Sequence, residues 1–75
     1  MSSIEELCKK GKNFFEIGDY LKAMECYEQA LLLKPSDPDL WNSKGLVLRT
    51  MGRYEEAIEC FNKSLEIDPR DKHSS

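Results

Sequence analysis

Few side chains in this chain are of a type that does covalent or metal chemistry: three cysteines, Cys8, Cys26 and Cys60, and one histidine, His73. A thiolate beside an imidazole makes a nucleophile, and clustered thiols and imidazoles hold zinc, but both need the groups brought together. Here no C-x-x-C pair occurs, the cysteines are 18 and 34 residues apart, and His73 lies in the polar end "DKHSS". The spacing fixes neither site, an odd number of cysteines is no disulfide framework, and buried cysteine serves as a small hydrophobe. The acidic residues pair off along helix faces instead, as in Lys22–Glu25 and Glu59–Lys63 at i,i+3 and i,i+4. No catalytic residue, metal site or cofactor is expected.

Charge and hydropathy narrow the class further. Eleven basic against 14 acidic residues give a net charge of -3, which disfavours nonspecific nucleic-acid binding because Lys and Arg carry phosphate affinity. The longest apolar run is "ALLL" at Ala30–Leu33, far short of a membrane span, and "MSSIEELCKK" lacks the basic-then-apolar order of a signal peptide. A cytosolic location with reduced thiols is the expectation. Seventy-five residues make a single domain, and a chain of this size buries only about 60% of its unfolded surface.

What positions these residues is a repeat. Displaced by 34 residues, the chain matches itself at ten positions, among them Lys10/Lys44, Gly11/Gly45, Gly18/Gly52, Tyr20/Tyr54, Ala23/Ala57, Glu25/Glu59, Cys26/Cys60 and Pro35/Pro69. A fixed period of this length signifies stacked units. Leu7, Gly11, Phe14 and Ile17 step by 4, 3 and 3, and Tyr20, Ala23, Tyr27, Ala30 and Leu31 resume the stripe after "GD", so each unit reads as two helices with a glycine-terminated break. In "KPSDPDLW", Pro35 stops a helix, Asp37 suits an N-cap and Pro38 the first helical position.

The pattern predicts helices at about Ser3–Ile17, Tyr20–Leu33, Pro38–Met51 and Tyr54–Ile67. Gly11 and Gly45 each cost a helix about 1 kcal/mol against alanine. Their recurrence implies a close helix crossing, with Ala23 and Ala57 as the matching small residues and large aromatics filling the wedges around it.

These residues resemble the tetratricopeptide repeat, whose unit carries a large residue, Gly, an aromatic, Gly, Tyr, Ala, an aromatic, Ala and Pro at fixed offsets. The first unit (about 4–37) offers Leu7, Gly11, Phe14, Gly18, Tyr20, Ala23, Tyr27, Ala30 and Pro35. The second (about 38–71, then a polar tail at 72–75) offers Trp41, Gly45, Leu48, Gly52, Tyr54, Ala57, Phe61, Ser64 and Pro69. Leu7, Leu48 and Ser64 depart from the usual Trp, aromatic and Ala; the Ser64 hydroxyl is expected to bond back to its own helix. The resemblance implies an all-α fold, an α-solenoid fragment of two stacked antiparallel hairpins of the right-handed superhelix type.

It also implies a non-catalytic module that holds a peptide or helix of a protein partner in a groove lined by the first helix of each hairpin. That face here is Glu5, Cys8, Lys12 and Phe15, then Asp39, Asn42, Leu46 and Arg49. Lys12, Asn42 and Arg49 are donors beside apolar Phe15 and Leu46, a set suited to a carboxylate with an adjacent side chain. The subset that clamps chaperone carboxylates needs Lys-x-x-x-Asn and then Asn; Cys8, Lys12 and Ser43 stand there instead, which argues against that clamp.

The alternative is self-assembly. The last helix has no following hairpin or polar capping helix, so Ile58, Phe61 and Leu65 are expected to present an open apolar side. Either this face joins a second copy, or the chain is an excised or designed piece of a longer array.

Overall fold

The computed structural model describes residues 3–68, and among these the chain is four helices and no strand: α1 Ile4–Ile17, α2 Tyr20–Leu33, α3 Pro38–Thr50 and α4 Tyr54–Ile67. Pro69, Asp71 and the tail containing His73 lie outside the described residues. Helix α1 packs on α2, α3 on α4, and α2 on α3, so two hairpins stack through the α2–α3 contact. Helix α3 carries the deepest core. Its Leu40, Val47 and Leu48 are the most deeply buried large side chains, each contributing about 1.5–3 kcal/mol through burial.

The helix ends follow the expected chemistry, with two boundaries one residue tighter. Ser3 is the N-cap of α1, its hydroxyl accepting from the Glu6 N–H at 3.2 Å, and Met51 is the C-cap of α3. Asp37 caps α3, with Pro38 at the first position. Both hairpins turn on a glycine of positive φ, Gly18 at 90° and Gly52 at 88°. In the first, the N–H groups of Gly18 and Asp19 donate to Phe15 and Phe14 carbonyls; in the second, those of Gly52 and Arg53 donate to Arg49 and Leu48. This is the same Schellman closure twice. The Asp19 carboxylate then caps α2 by accepting from the Lys22 N–H, whereas Arg53 gives α4 no side-chain cap.

The crossing glycines seat aromatic rings: a Cβ on Gly11 would lie 2.9 Å from Cζ of Tyr27, and one on Gly45 2.7 Å from Cε1 of Phe61. Three local expectations are corrected. The Ser64 hydroxyl does not bond within its own helix but donates across to the Pro38 carbonyl at 2.9 Å, tying α4 to the start of α3, because its side chain is buried against that helix. Lys22 turns to Asp19 at 4.0 Å and lies over the Phe14 ring, since the capping carboxylate is nearer than Glu25. The Glu59–Lys63 pair is likewise not among the ion pairs of the described residues.

Candidate functional site

Helices α1 and α3 are the first helices of their hairpins, and the step of three and four residues along each puts one row of side chains on a common face. Between them lies a cleft of about 330 Å³ lined by Lys12, Phe15 and Glu16 of α1, Ser43, Leu46 and Val47 of α3, and Tyr27 of α2. Of the eight residues expected on this face, the cleft collects Lys12, Phe15 and Leu46. Glu5, Cys8, Asp39, Asn42 and Arg49 do not line it; Cys8 is half-buried and the other four are exposed.

The floor is apolar and the rim polar. Phe15 is half-buried and stacks obliquely on Tyr20, ring centres 5.4 Å apart, which holds its ring in place without a polar anchor. Tyr27, Ser43, Val47 and Glu16 join the cleft without having been expected there. Tyr27 comes from a second helix and reaches the cleft by crossing over Gly11, so counting along first helices cannot find it. The glycine opposite the ring was the available signal.

The surroundings of the three thiols favour their protonated form. Burial pushes the Cys8 thiol up, and the carboxylates of Asp37 and Asp39 push it further. Burial also raises the Tyr27 phenol, the neighbouring Cys8 adds to the rise, and the Ser43 side chain acting as a hydrogen-bond partner pulls it partly back. Cys26 and Cys60 are buried and likewise raised, chiefly by burial. All three cysteines are free, and thiols held protonated are poor nucleophiles and poor ligands. Among the described residues no group of three or more His, Cys, Asp or Glu is placed to hold a metal ion, and no helix is long and apolar enough to cross a membrane.

Two antiparallel hairpins repeating at 34 residues, each closed on a left-handed glycine and each seating an aromatic ring on a helical glycine, define a helical-repeat protein of the α-solenoid class. The tetratricopeptide repeat profile matches residues 15–75, and the chain belongs to that family. Among solved structures it is similar to the crystal structure of MamA, with a TM-score of 0.83 and 28% identity. The match covers 93% of this chain and 41% of the MamA chain, so this chain spans about two-fifths of that protein. A search of curated proteins finds no match. Proteins built on this repeat generally mediate protein–protein interaction and are typically non-catalytic.

Proposed function

We propose that this chain is a non-catalytic docking module that holds a peptide or helix of a partner protein in the cleft between α1 and α3. The observation that carries the reading is the composition of that cleft, an apolar floor of Phe15, Leu46 and Val47 beside the Lys12 ammonium and the Ser43 hydroxyl. Such a floor takes one aliphatic or aromatic side chain, while Lys12 takes an adjacent carboxylate and Ser43 a backbone group. On α3, Arg49 extends the contact beyond Val47, and Asn42 and Asp39 extend it before Ser43; Glu5 and Cys8 precede Lys12 on α1. Its three free thiols suit the reducing cytosol.

A peptide array against the purified protein tests this. Binders should share an acidic residue next to an apolar one, and Lys12→Ala and Leu46→Lys should each weaken them at least about tenfold, the scale of one lost charge-assisted hydrogen bond. Binders whose affinity is indifferent to both substitutions would remove the cleft from consideration.

A second reading concerns α4. Ile58 is 55% exposed, whereas Met24, its equivalent one repeat earlier, is 9% exposed beneath α3. With Phe61 and Leu65, both half-buried, it forms a face that a second copy of the chain, or a further hairpin in a longer array, would cover as α3 covers α2.

A further inference from the structure

Packing explains most of the residues that recur between the two repeats: Gly11 and Gly45 seat rings, Gly18 and Gly52 make turns, and Ala23/Ala57 and Cys26/Cys60 are buried. Glu25 and Glu59 also recur, yet both are exposed and neither makes an ion pair among the described residues. Each lines a cavity on the side of the molecule formed by the second helices.

Glu25 lines a cavity of about 650 Å³ between α2 and α3, with Glu28, Leu31, Leu32, Trp41 and Lys44. Glu59 lines one of about 280 Å³ between α3 and α4, with Glu56, Leu48, Cys60 and the same Trp41 and Lys44. The two cavities adjoin at those two residues of α3, a paired trough with α2 on one side and α4 on the other.

The floor is already organised. The half-buried Trp41 ring is held by its Nε1–H, which donates to the Pro35 carbonyl at 2.9 Å. The Lys44 ammonium lies 5.6 Å from the ring centre and 3.6 Å from a Glu28 carboxylate oxygen. A cation over an indole beside a carboxylate is thus an arrangement the trough makes with its own lysine, a favourable one where water is partly excluded. Leu32, 83% exposed on the α2 wall, adds apolar surface. Glu56 is engaged by Arg53 at 3.7 Å, which leaves Glu25 in the first cavity and Glu59 in the second as the lining carboxylates without an ion-pair partner among the described residues.

We propose that this trough is a second docking surface, separate from the α1–α3 cleft, and that its occupant is a basic amphipathic peptide segment of another protein. An aliphatic side chain of that segment packs between Leu32 and Trp41, and its lysine or arginine side chains meet Glu25 on one wall and Glu59 on the other. The complementarity is one of charge and of shape together. The lining carboxylates Glu25, Glu28, Glu56 and Glu59 outnumber Lys44 and Lys63, so an acidic segment is repelled from the same apolar floor. The Cys60 thiol at the base is raised by burial first and then, against the pull of Lys44, by Glu59, Glu56 and Glu28, which fits carboxylates converging on the floor.

Trp41 is the chain's single tryptophan and lines both cavities, so selectively excited indole emission is read at this trough. The test is a titration of the full chain with a synthetic amphipathic peptide of leucine and lysine at helical spacing, and with the same peptide carrying glutamate for lysine. The lysine peptide should shift the Trp41 emission saturably, with an affinity that falls as salt is added; the glutamate peptide should not. The double variant E25Q/E59Q should weaken the lysine peptide about tenfold, for two charge contacts at a partly screened site. The double variant E55Q/E66Q, which removes the same charge from exposed sites outside both cavities, should change it by less than about twofold. Equal losses in both double variants, equal response to both peptides, or no saturable shift with the lysine peptide would each overturn the proposal. Circular dichroism of each variant establishes that the helices are intact.

Discussion

Adding one methyl group at Gly11 or at Gly45 separates two physical accounts of the hairpin core. By distance alone Gly45→Ala is worse, since its Cβ would sit 2.7 Å from the Phe61 ring, against 2.9 Å from Tyr27 for Gly11→Ala. Both substitutions gain about 1 kcal/mol of helix propensity, and both insert volume into a filled space at about 1–3 kcal/mol. The freedom of the ring to give way decides the sign. Tyr27 is 7% exposed, between α1 and α3, and cannot swing without moving a helix, so Gly11→Ala falls at the upper end and loses a net of about 2 kcal/mol. Phe61 lies against Gly45 but is only half-buried, which leaves its ring room to turn outward, so Gly45→Ala falls at the lower end and comes out near zero. In a domain of this size 1 kcal/mol moves the thermal midpoint by about 4–8 °C. Gly11→Ala should therefore melt roughly 8–16 °C below the parent and Gly45→Ala within about 4 °C of it. Urea unfolding followed by circular dichroism, with unchanged slope, supplies the free energies. A Gly45→Ala variant at least as destabilised as Gly11→Ala would mean that contact distance governs and that the open face grants Phe61 no freedom.

Two further substitutions follow from the same asymmetries between repeats. Arg53→Asp gives α4 the side-chain cap that Asp19 gives α2, where the capping bond is a long 3.4 Å. The expected gain is about 0.5–1 kcal/mol after loss of the exposed Arg53–Glu56 pair, and a midpoint unchanged or lowered in urea would contradict it. Ile58→Glu or Leu65→Glu should abolish any concentration-dependent rise in mass by light scattering while leaving helix content intact; association that persists in both variants rules out the α4 face.

Helix starts and stops were readable because each is decided by one or two residues acting locally. Asp37 and Pro38 open α3, and Gly18 and Gly52 close hairpins through a φ that other residues avoid. Position on a face was readable only in part: of the eight residues placed there, Lys12, Phe15 and Leu46 line the cleft and five do not. Contacts between helices that are distant in sequence were not. Tyr27 enters the cleft from α2, Ser64 bonds to Pro38 rather than to its own turn, and Lys44 pairs with Glu28. Helical periodicity fixes the direction of a side chain about its own axis, but the partner it meets depends on the offset between axes, and a shift of a few ångströms exchanges one neighbour for the next. The recurrence of Glu25 and Glu59 was visible at the outset; only the trough around Trp41 gives it a setting.

The two ends of the stack are not alike, and this constrains how copies can meet. Helix α3 covers the first hairpin with a face that includes Leu40, Ser43, Lys44 and Val47, of which Leu40 and Val47 are almost wholly buried. One repeat earlier the same positions on α1 are Glu6, Lys9, Lys10 and Asn13, all exposed. A second copy that laid its α1 on α4 would set charged side chains against Ile58, Phe61 and Leu65, and the desolvation of those charges opposes the contact. Head-to-tail growth is thereby disfavoured. Copies that associate through this face do so α4 to α4, an isologous contact that consumes the open face of both chains and closes the assembly. Mass should then saturate at the dimer as concentration rises. A mass that keeps climbing would require α1 to take part, and the contrast between its polar face and that of α3 would no longer explain the assembly.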